Sequence, residues 1–211
     1  MNRTISLLAL LLLVNAGIAQ TVTIGNQVWM TKNLNVDKFR NGDPIPQAKT
    51  DAEWEAAGEN QQPAWCYYDN NPSNGEKYGK LYNLYAVNDS RGLAPVGYHI
   101  PTDEEWKILE KYLGFDSKKI KSTSGWDSYT TGGVSHSGNG TNSSGFTALP
   151  AGQRSDNNNF YNIGYRAYWW CSTETATKGM FWSRIQYNNH NYLNRWPFKM
   201  KSGFSVRCLK D

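Results

Sequence analysis

The chain has 211 residues, 39% of them apolar and 14% aromatic, with 9 Trp, 13 Tyr and 7 Phe against 3 Cys and 3 His. That length suits one large domain or two small ones, and so many large rings exclude a collagen-like or coiled-coil chain. A net charge of +4 is too mild to imply nucleic acid as a partner.

Residues 1–19 read as a secretory signal peptide. Arg3 is the positive start, Ile5 to Val14 an apolar run broken only by Ser6, and Gly17-Ile18-Ala19 a small-residue cleavage site that leaves Gln20 first. A buried helix or membrane anchor is the alternative, but the run has about half of the ~20 residues needed to cross a bilayer. No second hydrophobic segment follows, so no membrane span is expected, and no Cys beside the cleavage site suggests a lipid anchor.

Thr21-Val22-Thr23-Ile24 and Gln27-Val28-Trp29-Met30 alternate around Gly25-Asn26, which predicts a hairpin. Thr50 three residues before Glu53 has capping-box spacing and predicts a short helix over Ala52 to Ala57, stopping at Gly58. Tyr78, Leu81, Tyr82 and Tyr85 fall at i, i+3, i+4 and i+7 and suggest a helix over Gly79 to Val87. Thr102 and Glu105 form a second capping box, with Pro101 and Trp106 at the staple positions. Trp106, Leu109 and Leu113 follow at helical spacing, and Gly114 supplies a stop.

Beyond Gly114 short apolar runs alternate with turn-forming stretches. Residues 132–145 read as a surface loop; Phe146 to Leu149, Tyr168 to Ser172, Met180 to Tyr187 and Phe204 to Leu209 read as strands. Long Asn/Tyr-rich loops, Gly152 to Ala167 and Asn188 to Pro197, are expected to join them. No linker-like boundary divides residues 20–211, so they are read as one domain.

Residues 151–211 hold nine Lys/Arg against three acids, net +6. That excess reads either as a solvated charged face or as a surface for an anionic partner.

Few motifs in the chain carry recognisable chemistry. His99, His136 and His190 are far apart in sequence and no C-x-x-C occurs, so no metal and no cofactor are expected. Asp69 to Gly75 alternates oxygen-bearing side chains, but its Gly is one place late for an EF-hand and no Glu closes it. There is no G-x-S-x-G elbow and no phosphate-cradling glycine loop, and among the late acids Glu174 stands close to rings, following Trp169-Trp170-Cys171-Ser172-Thr173. Three cysteines allow three single bridges. Cys66, in an aromatic run, and Cys208, on the inward face of the last strand, form the favoured pair, with Cys171 read as a small buried residue.

Seven blocks carry a resemblance: Ile24 to Leu34, Trp65 to Asn70, Tyr78 to Val87, Leu93 to Trp106, Gly145 to Gly152, Trp169 to Glu174 and Gly203 to Cys208. In this order they resemble the Fibrobacter succinogenes major paralogous domain family. The resemblance implies a bacterial protein that is secreted or exposed at the cell surface. It also implies an α+β fold similar to C-type lectins and formylglycine-generating enzymes, with two main helices, a small twisted antiparallel sheet and long irregular loops. Where many relatives carry Cys this chain has Ala94, and where they carry Ser it has Cys171, so their disulfide does not transfer. The calcium-binding triplets of sugar-binding C-type lectins are absent.

These readings converge on a non-catalytic surface module for an extracellular glycan or a protein partner. The alternatives are an enzyme on a formylglycine-generating-like scaffold and a structural component of surface assemblies. Trp29, Trp106, Trp169 and Trp170 are expected in the core. The expected binding surface is the two late loops, with Arg154, Asp156, Tyr161, Tyr165, Tyr192 and Trp196.

Overall fold

A computed structural model describes residues 20–211; the expected leader and its cleavage site lie outside the described residues. The chain opens with the expected hairpin, β1 (Thr21–Ile24) and β2 (Gln27–Met30), in register Ile24↔Gln27 to Thr21↔Met30. Gly25 turns it at φ 63°, and a Cβ there would stand 2.8 Å from the Tyr112 ring. Both the backbone angle and the close approach require glycine.

The two capping boxes hold. Thr50 and Glu53 start α1 (Asp51–Glu59), and Thr102 and Glu105 start α4 (Asp103–Tyr112). Each threonine hydroxyl accepts from the backbone N–H three residues on, and each glutamate accepts from the threonine N–H. Helix α1 runs through Gly58, which is needed because Lys201 packs 2.9 Å from where its Cβ would be.

No helix covers Gly79 to Val87. Instead α2 (Pro72–Tyr78), the two-residue strand β4 (Leu81–Tyr82) and α3 (Leu84–Val87) follow one another, with β4 paired to β3 (Trp65–Cys66). Gly79 breaks the run at φ 77°, held against the Leu34 carbonyl. Asn83 then caps α3, its Oδ1 accepting from the N–H groups of both Ala64 and Ala86. Burial of Tyr78, Leu81 and Tyr82 at helical spacing thus comes from two short helices and an intervening strand.

The expected α+β, C-type-lectin-like architecture of two main helices and one small antiparallel sheet is not what forms. The described residues are mostly β, with four sheets and α-helices of nine, seven, four and ten residues. The remaining strands are β5 (Tyr98–His99), β6 (Tyr129–Thr131), β7 (Val134–His136), β8 (Ala151–Arg154), β9 (Phe160–Ile163), β10 (Arg166–Glu174), β11 (Met180–Tyr187), β12 (Asn194–Lys199) and β13 (Leu209–Lys210). They give a four-stranded sheet β1-β2-β13-β5, a five-stranded sheet β12-β11-β10-β8-β9, and the pairs β3-β4 and β6-β7. Within the five-stranded sheet β8 runs parallel to β10 and the other pairs are antiparallel.

Both supposed late loops therefore contain strands. The polar residues of β8, β9 and β12 hid them, because their hydrogen bonds and ion pairs are supplied inside the fold and no apolar alternation is required. Residues 132–145 likewise include β7, turned from β6 by Gly132 and Gly133 at φ 58° and 80°. Phe146 to Leu149 contributes one bridge, Ala148 to Lys121, and Phe204 to Leu209 touches its neighbours by single bridges until β13.

The main sheet separates two aromatic cores. Tyr168, Trp170, Phe181 and Ile185 pack with Phe204, Val206 and Cys208. On the opposite face Trp169 and Cys171 meet Trp29, Trp106 and Phe146, with Trp29–Trp106 ring centres 4.8 Å apart. A third cluster holds Trp54, Cys66 and Tyr68. Trp29, Trp106, Trp169 and Trp170 are all fully buried, as expected. The favoured Cys66–Cys208 bridge is absent: the three cysteines are free and each lies in a different cluster.

Between these clusters Arg207 is buried without a carboxylate. Its guanidinium donates to the carbonyls of Met30 (3.0 Å), Phe146 (2.6 Å) and Thr147 (3.4 Å) and to Asn33 Oδ1 (2.9 Å), and it lies over the Phe146 ring. Asn33 Oδ1 also accepts from Trp169 Nε1, while its Nδ2 donates to Tyr78 O and Ser205 Oγ. On the other side of β10, Asp103 receives Arg184 (2.8 Å) and Arg195 (2.7 Å), which clasps α4 to β11 and β12. Burial alone would raise the Asp103 carboxyl, but hydrogen bonds from Arg195 and Lys107 and the charge of Arg184 outweigh it and hold it at about 2.

His99 joins Asp211 to α4, with Nδ1 2.8 Å from Asp211 and Nε2 2.8 Å from Glu105. Burial pulls its pKa down, yet hydrogen bonds to Asp211 and Glu105 outweigh this and raise it above the ordinary 6.5. A raised folded-state pKa gives stability that is complete below the unfolded value and is lost as pH rises through the folded one. Thermal melts should show the wild type losing its advantage over His99→Gln across that window, by no more than about 1 kcal/mol because the ring is partly solvated. A constant difference from pH 5 to 9 would contradict this.

Candidate functional site

The six expected site residues do not form one surface. Arg154, on β8, is fully buried. It donates to Asp51 Oδ1, Thr50 O, Asn158 O and Asn70 Oδ1, and lies against the rings of Trp54 and Phe160. Its role is to tie the start of α1 to the β8–β9 hairpin. Asp156 pairs with Lys199 at 2.9 Å in that hairpin's turn, and the Lys199 hydrogen bond holds its carboxyl below the usual range. Tyr161 is exposed on the edge strand β9, its hydroxyl accepting from Asn157. Among the described residues β8 and β10 separate it from β11.

Tyr165, Tyr192 and Trp196 do belong together with a surface that the sequence did not reveal. Arg166 opens β10 directly opposite Tyr187 at the end of β11. In an antiparallel pair, opposed residues share a face, and the Arg166 guanidinium lies 4.3 Å from the Tyr187 ring centre. Tyr187 packs on His190 (4.7 Å), and His190 stacks on Tyr192 at 4.8 Å and 17°. Four flat groups thus follow one another from the sheet out to solvent.

Two shallow depressions adjoin this stack. One, of about 360 Å³, lies between Tyr165 and His190, lined also by Asn162, Arg166, Tyr187, Asn188 and Asn189. The other, of about 290 Å³, has Tyr168 and Ile185 as floor and Arg166, Tyr187, Asn194 and Trp196 around it. Arg166 and Tyr187 line both. Tyr165, Tyr192 and Trp196 are 50%, 52% and 62% exposed, unusually open for residues of this size.

The supporting layer is rigid and polar. The Tyr165 carbonyl accepts from the Asn188 N–H at 2.8 Å, joining the β9–β10 turn to the segment after β11. Buried Gln186 donates to the carbonyls of both Tyr187 and His190 at 2.9 Å. Buried Lys121 reaches the Asn188 carbonyl at 2.8 Å and that of Tyr187 at 3.4 Å, and Asn188 Nδ2 donates to Asp127 O. Burial lowers the Lys121 pKa to about 8, so the amine is still largely charged at neutral pH.

No signal in the sequence marked Arg166, Tyr187 or Asn194 as site residues, since their meeting depends on strand register. His190, which has no His or Cys near it in sequence to share a metal, packs against both the Tyr187 and the Tyr192 rings. Among the described residues no group of three or more His, Cys, Asp or Glu could hold a metal ion. The calcium-like stretch is a turn with Asp69 and Asn70 at positive φ, followed by Asn71 capping α2. Glu174 accepts from the Gly179 N–H at 2.7 Å and faces solvent. No helix among the described residues is long and apolar enough to cross a membrane.

Lys121→Met keeps the stem of the side chain and removes the charged donor beneath the Tyr187–Asn188 carbonyls. Losing a charge-assisted hydrogen bond to a buried group costs about 2 kcal/mol. Amide exchange at Asn189, His190, Asn191 and Tyr192 should therefore accelerate about tenfold or more, while Ile185 in mid-strand is unchanged. Equal exchange in both proteins would show that Lys121 does not brace the segment.

Neither a curated protein nor a solved structure matches the chain. A family model described as the Fibrobacter succinogenes major domain matches residues 22–210, and the chain belongs to that family.

Proposed function

We propose that this chain is a non-catalytic module that acts outside the cell, as its leader-like first 19 residues suggest, and holds a glycan on the shelf formed by Arg166, Tyr187, His190 and Trp196. The observation that carries this reading is the exposure of Tyr165, Tyr192 and Trp196 beside two adjoining depressions. Keeping large apolar faces in water forgoes about 1.5–3 kcal/mol of burial for each side chain, and such open apolar groups gathered beside polar ones mark a recognition surface.

The chemistry suits a sugar chain. Flat rings can stack on the C–H faces of pyranoses, and amides beside them can exchange hydrogen bonds with hydroxyls in both directions. Asn162, Asn189 and Asn194 provide those amides. The depressions are shallow and open, and the described residues hold no convergent nucleophile, base and metal set of the kind hydrolysis requires. Cys66, Cys171 and Cys208 are fully buried, and burial pushes each thiol up to about 12. That does not support a reactive-cysteine enzyme.

The test is a glycan array together with pull-down on insoluble polysaccharides, using residues 20–211 and its Trp196→Ala variant. Because truncating an aromatic anchor costs about 2 kcal/mol, the variant should bind about tenfold more weakly or worse, with an unchanged near-ultraviolet circular dichroism spectrum. Wild-type signals at background throughout would sink the glycan reading. Undiminished binding by Trp196→Ala would move the site elsewhere on the molecule.

A further inference from the structure

We propose that the glycan bound on this shelf is acidic, and that Arg166 is the residue that recognises its anionic group; this rests on the binding reading above. Arg166 stands where the two depressions meet, half-buried, and lines both. A guanidinium offers five N–H donors in a planar fork. Here one of them makes a hydrogen bond, from Nη1 to the Tyr168 hydroxyl at 3.4 Å.

Among the described residues no carboxylate comes within ion-pair distance of Arg166. The other arginines of the C-terminal third are differently placed: Arg154 and Arg184 are buried against Asp51 and Asp103, Arg195 is paired with Asp103, and Arg207 is enclosed by carbonyls. No acid lines either depression. The Asp127 carboxylate, held against Gly164 beside Tyr165, makes no ion pair with Arg166.

The guanidinium is also oriented before any ligand arrives. Its central carbon lies 4.3 Å from the Tyr187 ring centre, and Tyr187 itself packs against His190 and is held at its carbonyl by Lys121 and Gln186. Pre-organisation of this kind reduces the ordering cost of binding, and a fixed fork suits the paired oxygens of a carboxylate or a sulfate ester. Both occur as sugar substituents, and the shared chemistry is a singly charged group with two or more equivalent oxygens.

The register also separates charge recognition from stacking. Arg166 is level with Tyr187, whereas Trp196, two strands away, is level with Ser183. Strand geometry puts about 13 Å along the strands and about 10 Å across them between the two positions. An oligosaccharide, rather than a single sugar, can engage both.

The experiment compares binding to matched charged and neutral polymers by biolayer interferometry at fixed ionic strength: polygalacturonate against its methyl ester, and dextran sulfate against dextran. The expected result is at least tenfold tighter binding to the charged member of one pair, the pair identifying carboxylate or sulfate as the group. Arg166→Gln should abolish that preference while keeping the near-ultraviolet circular dichroism spectrum, and Arg166→Lys should restore part of it. Lys178→Gln, which removes one exposed charge elsewhere, should leave the preference intact. Equal binding within both pairs would overturn the acidic-ligand proposal and leave the glycan reading standing. A preference that survives Arg166→Gln, or that falls equally with Lys178→Gln, would overturn the role of Arg166. Binding to none of the four polymers or to any array glycan would remove both. The wild-type comparison of charged with neutral polymer decides the ligand class even if Arg166→Gln does not fold.

Discussion

A guanidinium that has no carboxylate to answer it holds the centre of this fold together. Removing a charge from water costs several kcal/mol even after relaxation, and burial brings the Arg207 pKa down to about 9. The charge persists at neutral pH because carbonyls of Met30, Phe146 and Thr147, the Asn33 amide oxygen and the face of Phe146 surround it. Those partners come from segments far apart in the chain, and through Asn33 they extend to Tyr78, Trp169 and Ser205. Residues 146–149 form no strand of their own, and the Phe146 and Thr147 carbonyls that Arg207 reaches would be unsatisfied inside a purely apolar core. The buried cation supplies the donors that regular structure does not.

Buried cations packed among rings or against acids recur elsewhere in the chain. Arg154 lies between Trp54 and Phe160, and Lys121 lies over Trp126 beneath the carbonyls of Tyr187 and Asn188. Arg184 is closed in by Asp103. Rings serve these interior cations as both packing surface and electrostatic partner. An aromatic-rich and aliphatic-poor chain can in this way build an interior containing charge. Arg166 follows the same rule on Tyr187, but at the rim of the sheet, where its remaining donors face a depression instead of carbonyls.

Local features were legible in the sequence wherever the deciding contacts are close in the chain. The Gly25-Asn26 turn, the Thr50 and Thr102 capping boxes, and the burial of Trp29, Trp106, Trp169 and Trp170 all follow from residues a few places apart or from plain hydrophobicity. The helix expected over Gly79 to Val87 failed because Gly79 is pressed on the Leu34 carbonyl and Asn83 is drawn to Ala64, both distant contacts. Strands β8, β9 and β12 were hidden for a related reason: Arg154 reads as a solvated residue until Asp51 and Trp54 are placed around it. The two-helix fold class failed with them, since these strands complete the largest sheet.

The site divides along the same line. Tyr165, Tyr192 and Trp196 could be named because rings in Asn-rich stretches are conspicuous. Their companions Arg166, Tyr187 and Asn194 are brought together only by the β10–β11 and β11–β12 registers. Rings and cations that build the interior are thus distinct from a smaller set exposed beside the two depressions. The most direct test is to follow tryptophan indole and arginine Nε–H resonances by nuclear magnetic resonance during titration with an oligogalacturonate or a sulfated oligosaccharide. Trp196 and Arg166 should shift, while Trp54, Trp65, Trp126, Trp169 and Trp170, whose indole N–H groups are bonded inside the fold, stay in place. Saturable binding that leaves Trp196 and Arg166 unmoved would contradict the account.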